Sequence, residues 1–445
     1  MASFINSETD EIITWKYIIS ELTLIFPTWT KDIPVEKVTE FSIDNDYEKN
    51  LFPITKINMQ LEPDVYKSMV DAKNDLKIKI RLQKYYTKKG SSEKSLLRDC
   101  FNTTFNILLD DNFTNPDRDL EMRKALNTGV TENSQDTLDY KKNSKMEFFL
   151  YNDSTLQAAR KMANAVLSNT SMIGAITYLC SISNMTKLLI SPLENNEVYK
   201  ELLIPPQTIL SAFQYFDTEY GFYKKGSIIY FGVDKGYILN YKGGCTAYEK
   251  DEIQETCILI PKKGGEQSAS EGMVEKPDQG TKRKYIVVSA TNVNIEESSI
   301  SNDIISGNNA TIVNTNTNSI MSTSGGTIQK GKGNYNLIST NSFNKWLGEV
   351  YAAQQSANTA VISLSCGDFD YESINPNKKF SIIFEDTLNN EKYRGVYNIA
   401  KSTLKFVKSG SDFELDGSMV FKKADVKGST VSSEELSPEE KKEDI

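Results

Sequence analysis

At 445 residues, 39% of them hydrophobic and 10% aromatic, the chain has the length of two to four ordinary domains and enough apolar material for several cores. Acidic residues outnumber basic ones, 60 to 51, and the formal charge of −9 argues against the clustered basic footprint of a dedicated nucleic-acid binder. Histidine is absent, which removes Ser-His and Cys-His nucleophile pairs and His-containing zinc sites and leaves carboxylate chemistry as the route open to an enzyme.

The cysteines, Cys100, Cys180, Cys245, Cys257 and Cys366, are odd in number and form no CxxC, so neither a disulfide framework nor a zinc ribbon is indicated; they read as buried, reduced thiols. The opening MASFINSETDEI is polar and acidic, unlike a signal peptide, and no apolar run approaches the roughly 20 residues that span a bilayer. The expectation is a soluble, non-secreted protein.

Period-two alternation marks the first part of the chain. Ile57, Met59 and Leu61 share a face, as do Leu76, Ile78, Ile80 and Leu82, then Thr103, Phe105, Ile107 and Leu109, then Met146, Phe148 and Leu150. Pro63 opens a short helix over residues 64–73, and Asn112–Lys145 reads as a long polar loop. These elements predict a first antiparallel β unit over 1–152, a small barrel or sandwich.

A mixed α/β insert follows over 153–261. Leu156, Ala159, Ala163, Val166 and Leu167 predict a helix over Ser154–Leu167, and a second is expected over Met172–Ser183. A third opens at Pro206, carries Ile209, Phe213 and Phe216 on one face, and closes before Gly221. Ile228–Val233 and Tyr237–Asn240 then form strands around Asp234-Lys235-Gly236.

Residues 262–342 read as a Gly/Ser/Asn-rich linker with short strands: Lys262–Arg283 as a flexible linker or exposed loop, Tyr285–Ile295 as a strand, and Ser298–Asn336 either as short turns and edge strands or as partly disordered chain. A helix around Phe343–Gln355 opens a second β unit over 343–424, with alternation at Ile362, Leu364 and Cys366, at Phe380, Ile382 and Phe384, at Leu404 and Phe406, at Phe413 and Leu415, and at Met419 and Phe421. Residues 425–445 read as a disordered, charged tail.

No motif along the chain assembles a catalytic, cofactor or metal site. Gly326–Gly333 fits G-x-x-x-x-G-K, but Gly333 stands where a Mg²⁺-binding Ser or Thr belongs, so it reads as a Gly/Lys loop. Asp368, Asp370 and Glu372 alternate, as Ca²⁺ ligands do, yet the plainer reading is a solvated loop. Lys88, Lys89 and Lys94 form one basic cluster, and Lys262 and Lys263 with Lys282, Arg283 and Lys284 a second; both read as solvated. Phe213, Tyr215, Phe216, Tyr220, Phe222 and Tyr223 read as core packing rather than a stacking platform.

The segments AVISLSCGDFDYESINPNKKFSIIFED, from Ala360, and YRGVYNIAKSTLKFVKSGSDFELDGSMVFKK, from Tyr393, resemble the closing domain of the central baseplate hub proteins of contractile-tailed phages. In that likeness Pro376-Asn377 makes a tight turn and Phe380–Phe384 supplies one wall of a barrel. IPPQTILSAFQYFDTEYGFYKKGSIIYFGVDKGYIL (204–239) is similar to the hub helix–hairpin, and FPITKINMQLEPDVYKSM with LKIKIRLQKYY to the first hub barrel. Residues 262–340 depart from the pattern.

The resemblance implies an α+β, β-dominated fold with two small antiparallel tail-tube-like barrels flanking the insert. It also implies a homotrimer whose six barrels adapt a sixfold tail tube protein to a trimeric central spike protein, among other baseplate proteins. The bore would pass genomic DNA without specific binding, which a mildly acidic wall suits. The expected place is the virion tail baseplate, assembled in the bacterial host cytoplasm, with no cofactor and no enzyme activity. Two alternatives stay open: another tail component (distal tail, fibre or receptor-binding protein), and a carboxylate-based cell-wall hydrolase.

Overall fold

The computed structural model describes residues 11–72, 75–88, 94–108, 144–183, 185, 187–241, 255–262, 272–275, 283–297, 310–314, 319–322, 336–340, 343–347, 350 and 360–424. The loop expected over Asn112–Lys145 (save Ser144 and Lys145), the motif Gly326–Gly333 and the tail from Asp425 lie outside these residues, as do Cys245, Lys89, Lys263 and Lys282.

The first part of the chain runs β1 (Glu11–Ile25), β2 (Thr30–Asp32), β3 (Val38–Asp46), β4 (Ile54–Leu61), α1 (Pro63–Ala72), β5 (Lys77–Lys88), β6 (Arg98–Leu108) and β7 (Ser144–Asn152). The insert comprises α2 (Asp153–Arg160), β8 (Met162–Ser171), α3 (Met172–Ser183), β9 (Leu188–Ile190), β10 (Val198–Thr208), α4 (Ile209–Glu219), β11 (Ser227–Phe231) and β12 (Gly236–Asn240). Next come β13 (Glu255–Ile260), β14 (Gly272–Glu275), β15 (Arg283–Val287), β16 (Val293–Glu297), β17 (Ala310–Asn314), β18 (Ser319–Ser322) and β19 (Asn336–Thr340). The last part holds β20 (Ala360–Gly367), β21 (Lys379–Phe384), α5 (Thr387–Tyr393), β22 (Gly395–Ser409) and β23 (Asp412–Lys423).

The fold is β-dominated, with one mixed sheet of 15 strands drawn from both ends of the chain. The alternating apolar residues face a single large core: Ile57, Met59, Ile78, Ile80, Phe105 and Phe148 are buried in it together with Ile362, Phe380, Leu404, Phe413 and Phe421. β1 carries the same code with a slip. Ile13, Trp15, Tyr17 and Ile19 face the core, and then Leu22 and Leu24 do so. A bulge against β5 between Ile19 and Glu21 absorbs the odd residue, so both halves bury the same face.

Strand pairing closes on itself. One circuit of antiparallel neighbours runs β1–β5–β6–β7–β4–β3–β22–β23 and returns to β1 where Tyr17 faces Phe413. A second leaves the start of β1 through β14, β15, β13 and β21 to β22, and returns through β23. β1, β22 and β23 belong to both. β22 changes partner along its length: Gly395–Tyr397 pair with β21 and Lys401–Val407 with β3. Between them its ladder with β23 shifts register, from Ile399 to Lys401. The Ala400 carbonyl released there accepts the Tyr47 N–H at 2.9 Å.

The insert has its own core of α2, α3 and α4, where Phe213, Phe216, Phe222 and Tyr223 are fully buried. The aromatic cluster is therefore core, as read. The β11–β12 hairpin joins the two cores by its pleat. Ile228, Tyr230, Tyr237 and Leu239 enter the large core, while Phe231 and Ile238 enter the helical one.

Several local expectations change. The helix predicted over Ser154–Leu167 stops at Arg160, and Met162–Ser171 is a strand paired with β10. Its residues at helical spacing include Val166, 61% exposed, so the apparent stripe was not one buried face. Pro206 lies in β10, where a register shift between Ile204 and Gln207 tolerates a residue that cannot donate. The helix begins at Ile209, where the Thr208 hydroxyl accepts from Ser211 N at 3.2 Å. The single strand predicted over Tyr285–Ile295 is two, split by a one-turn 3₁₀ segment at Ala290–Asn292. The loop predicted over Lys262–Arg283 contains β14, and Ala310–Asn314 pairs with both β18 and β19 in a separate small sheet. Helix α5 went unread, although Asp386, whose carboxylate accepts from Asn389 N at 3.3 Å, is a cap signal.

Two predictions follow from the packing. A Cβ on Gly417 would lie 2.5 Å from Phe369 Cζ, so Gly417→Ala is expected to cost about 1–3 kcal/mol in urea unfolding of the full chain. Burial raises the carboxyl of Asp217 above its ordinary range, against hydrogen bonds from Ser227 Oγ and Phe222 N. A raised carboxyl favours folding at low pH and opposes it once ionised, so Asp217→Asn should match or exceed the parent by about 1 kcal/mol at neutral pH. That advantage should vanish as pH falls through the raised value, measured by unfolding across pH.

Candidate functional site

The functional feature built most deliberately is the segment after β20, where the chain leaves the sheet and turns into the junction of the two circuits. Asp368 adopts φ 59°, a left-handed conformation that Asp tolerates better than most residues. Its carbonyl accepts from Trp15 N at 3.2 Å and its N–H donates to the Leu415 carbonyl at 3.0 Å, tying β20 to β1 and β23. The Tyr17 hydroxyl donates to the Phe369 carbonyl and accepts from Tyr371 N, each at 2.7 Å. One phenol thus stitches both sides of the turn to β1.

Asp370 caps the one-turn 3₁₀ helix at Tyr371–Ser373 and is 2% exposed. Its Oδ1 lies 2.5 Å from Lys84 Nζ, and Glu372 Oε2 lies 2.6 Å from the same nitrogen. Lys84, also 2% exposed, sits 4.9 Å from the centre of the Trp15 ring. Burial alone would pull the Lys84 ammonium down; the two carboxylates outweigh it and hold it above the usual lysine value. Burial pushes the Tyr17 hydroxyl and the Cys100 thiol up, and Asp370 adds to both.

The acidic triplet is therefore not the solvated loop expected. Asp370 and Glu372 do converge on a cation, but it is the lysine of a neighbouring strand, and Asp368 does not join them in its ion pairs. The sequence held the missing signal: Lys84 continues the inward register Leu76, Ile78, Ile80 and Leu82. An inward lysine needs a buried counter-charge.

Beside this junction lies a cavity of 390 Å³ between β6, the β11–β12 turn, β15 and the stretch Tyr371–Lys378. Tyr47, Tyr230, Tyr237 and Tyr371 line it together with Arg98, Lys235, Lys284, Lys378, Asp234 and Glu372. Lys284, one of the predicted basic residues, is thus placed here. Lys88 and Lys94 are not; Lys94 sits 4.5 Å over the Tyr85 ring instead. Cys100, Cys257 and Cys366 are buried and Cys180 is half-buried. Among the described residues no three Cys, Asp or Glu side chains gather as metal ligands, and no helix is long and apolar enough to cross a membrane.

Asp370→Ala strands Lys84 without its buried partner and is expected to cost about 3–5 kcal/mol. A paired Lys84→Met, Asp370→Leu replacement should recover most of that loss, because no buried charge remains and the carboxylate left without Lys84, that of Glu372, is 51% exposed to solvent. Guanidinium unfolding of the single and double variants provides the comparison.

Comparison with known proteins adds the following. The family model described as "Bacteriophage PBS1 gene 109 protein" matches residues 10–433. No curated protein matches. Among solved structures the chain is similar to the tail protein from Neisseria meningitidis MC58, at 9% identity and TM-score 0.47, covering 92% of this chain and 96% of that one. It is similar to the 43 kDa tail protein of prophage MuSo2 from Shewanella oneidensis, at 9% identity and TM-score 0.46, covering 91% and 99%. It is also similar to prophage tail protein gp18 from Listeria monocytogenes EGD-e, at 6% identity and TM-score 0.42, covering 91% and 94%. The family match is to a phage family, in keeping with the baseplate hub resemblance read from the sequence.

Proposed function

Because this chain belongs to the bacteriophage PBS1 gene 109 protein family, we propose that it is a structural protein of a phage tail, the hub of its baseplate. The observation that carries the reading is the pair of closed strand circuits sharing β1, β22 and β23. Each is taken as one tube-like barrel, so that a single chain presents two barrels side by side. Three copies then offer six barrels in a ring, which meets a sixfold tube on one face and a threefold spike on the other. The C-terminal strands of residues 343–424 close the barrel that residues 1–152 begin, and the insert from α2 to β12 stands on the side where its β11–β12 hairpin packs, while β13, expected within the insert, belongs to the second circuit.

In this reading the chain works by shape rather than chemistry. The barrels' backbone groups are satisfied by neighbouring strands, which makes a stiff ring segment. A chain with a net charge of −9 offers passing DNA no general attraction. Tail tube, spike and other baseplate proteins are the partners, and the virion baseplate is the location.

Native mass spectrometry of the purified chain tests the assembly, with a trimer as the expected mass. A stable monomer at micromolar concentration, or a ring of six chains, would overturn the hub. Cryo-electron microscopy of the particle should place the chain between tube and spike.

A further inference from the structure

We infer that the cavity beside the strand junction is a binding site for a small phosphate-bearing anion. Its wall brings Arg98 from β6, Lys235 from the β11–β12 turn, Lys284 from β15 and the buried Lys378 to one space of 390 Å³. Two acidic residues, Asp234 and Glu372, share that wall. Neither cancels the excess. Glu372 is held by Lys84 Nζ at 2.6 Å, outside the set of four. Asp234 is half-buried beside Lys235, and with both carboxylates ionised two acids still face four cations around the pocket.

Arg98, Lys235 and Lys284 form no ion pair among the described residues. Lys284 Nζ lies 5.8 Å from the centre of the Trp15 ring and Arg98 stands exposed at the rim, so in a chain where acids outnumber bases three cations without an ion pair among the described residues gather around one partly open pocket. Like charges gathered in one pocket repel, and an anion in their midst relieves that repulsion. Phosphate oxygens suit the mixture of guanidinium and ammonium donors. The volume greatly exceeds that of water or a halide and lies within the range of small-molecule sites, and the tyrosine rings offer apolar wall to an attached organic group. The inference stands apart from the tail reading, since it concerns one chain and not its assembly.

Isothermal titration of the full chain with inorganic phosphate and with adenosine monophosphate tests it, with adenosine as the uncharged control. Phosphate, adenosine monophosphate or both should bind, and adenosine should not. Arg98→Ala combined with Lys235→Ala should weaken binding at least about tenfold, the loss of charge-assisted contacts. The exchange Arg98→Lys with Lys235→Arg should retain most of it. If the double alanine variant fails to fold, Lys284→Gln serves in its place, with the thermal midpoint confirming an intact fold. The site is refuted if neither phosphate compound binds at millimolar concentration, if adenosine binds as well as its monophosphate, or if the charge-removing variant binds undiminished.

Discussion

The rest of the molecule depends on backbone pairing between the two ends of the chain. β22 and β23 are not an appended unit; they complete the ladder that β1 and β3 leave open. Without them β1 and β3 would present unpaired edges, which sheets avoid. The salt bridge of Lys16 with Glu414, partners 398 residues apart in sequence, lies on the same seam. Contacts of such separation must overcome a large loop-closure entropy before they stabilise anything, so β22 and β23, which follow β1 and β3 in the chain by more than 300 residues, decide whether those strands are held.

The Lys84–Asp370 pair makes that closure specific. An ion pair buried at 2% exposure adds little net stability over apolar packing, but it penalises any arrangement that separates the charges. Lys84 comes from β5 in the first circuit, Asp370 from the turn between β20 and β21 at the edge of the second. Tyr17, bonded to both sides of the same turn, belongs to the strand they share. Registry between the circuits is thus read by polar groups that tolerate no slip, while the surrounding apolar core supplies the cohesion.

A fold closed in this way suits a structural component. Its stiffness comes from continuous ladders, and change of direction is confined to identifiable points: the β1 bulge after Ile19 and the β22 shift at Ala400. The insert is attached through a hairpin whose faces are committed to different cores, so it too is held rather than hinged. The charged cavity lies where hairpin, junction and β15 meet, which gives a ligand there contact with three parts of the molecule.

Much of the β content was legible from residue order, because the two-residue pleat writes burial directly into sequence: Ile78, Ile80 and Leu82, or Phe380, Ile382 and Phe384, needed no partner to be recognised as inward. β1 escaped notice because its bulge breaks the period midway, and β8 was taken for helix because its apolar residues fit a helical spacing by coincidence. Phage kinship, too, was visible in the C-terminal segments. What residue order could not reveal was which strand lies beside which. Alternation specifies a face and not a neighbour, so only the tertiary structure decided that Phe413 stands opposite Tyr17, that Asp370 finds Lys84, and that four cations from distant elements share one cavity.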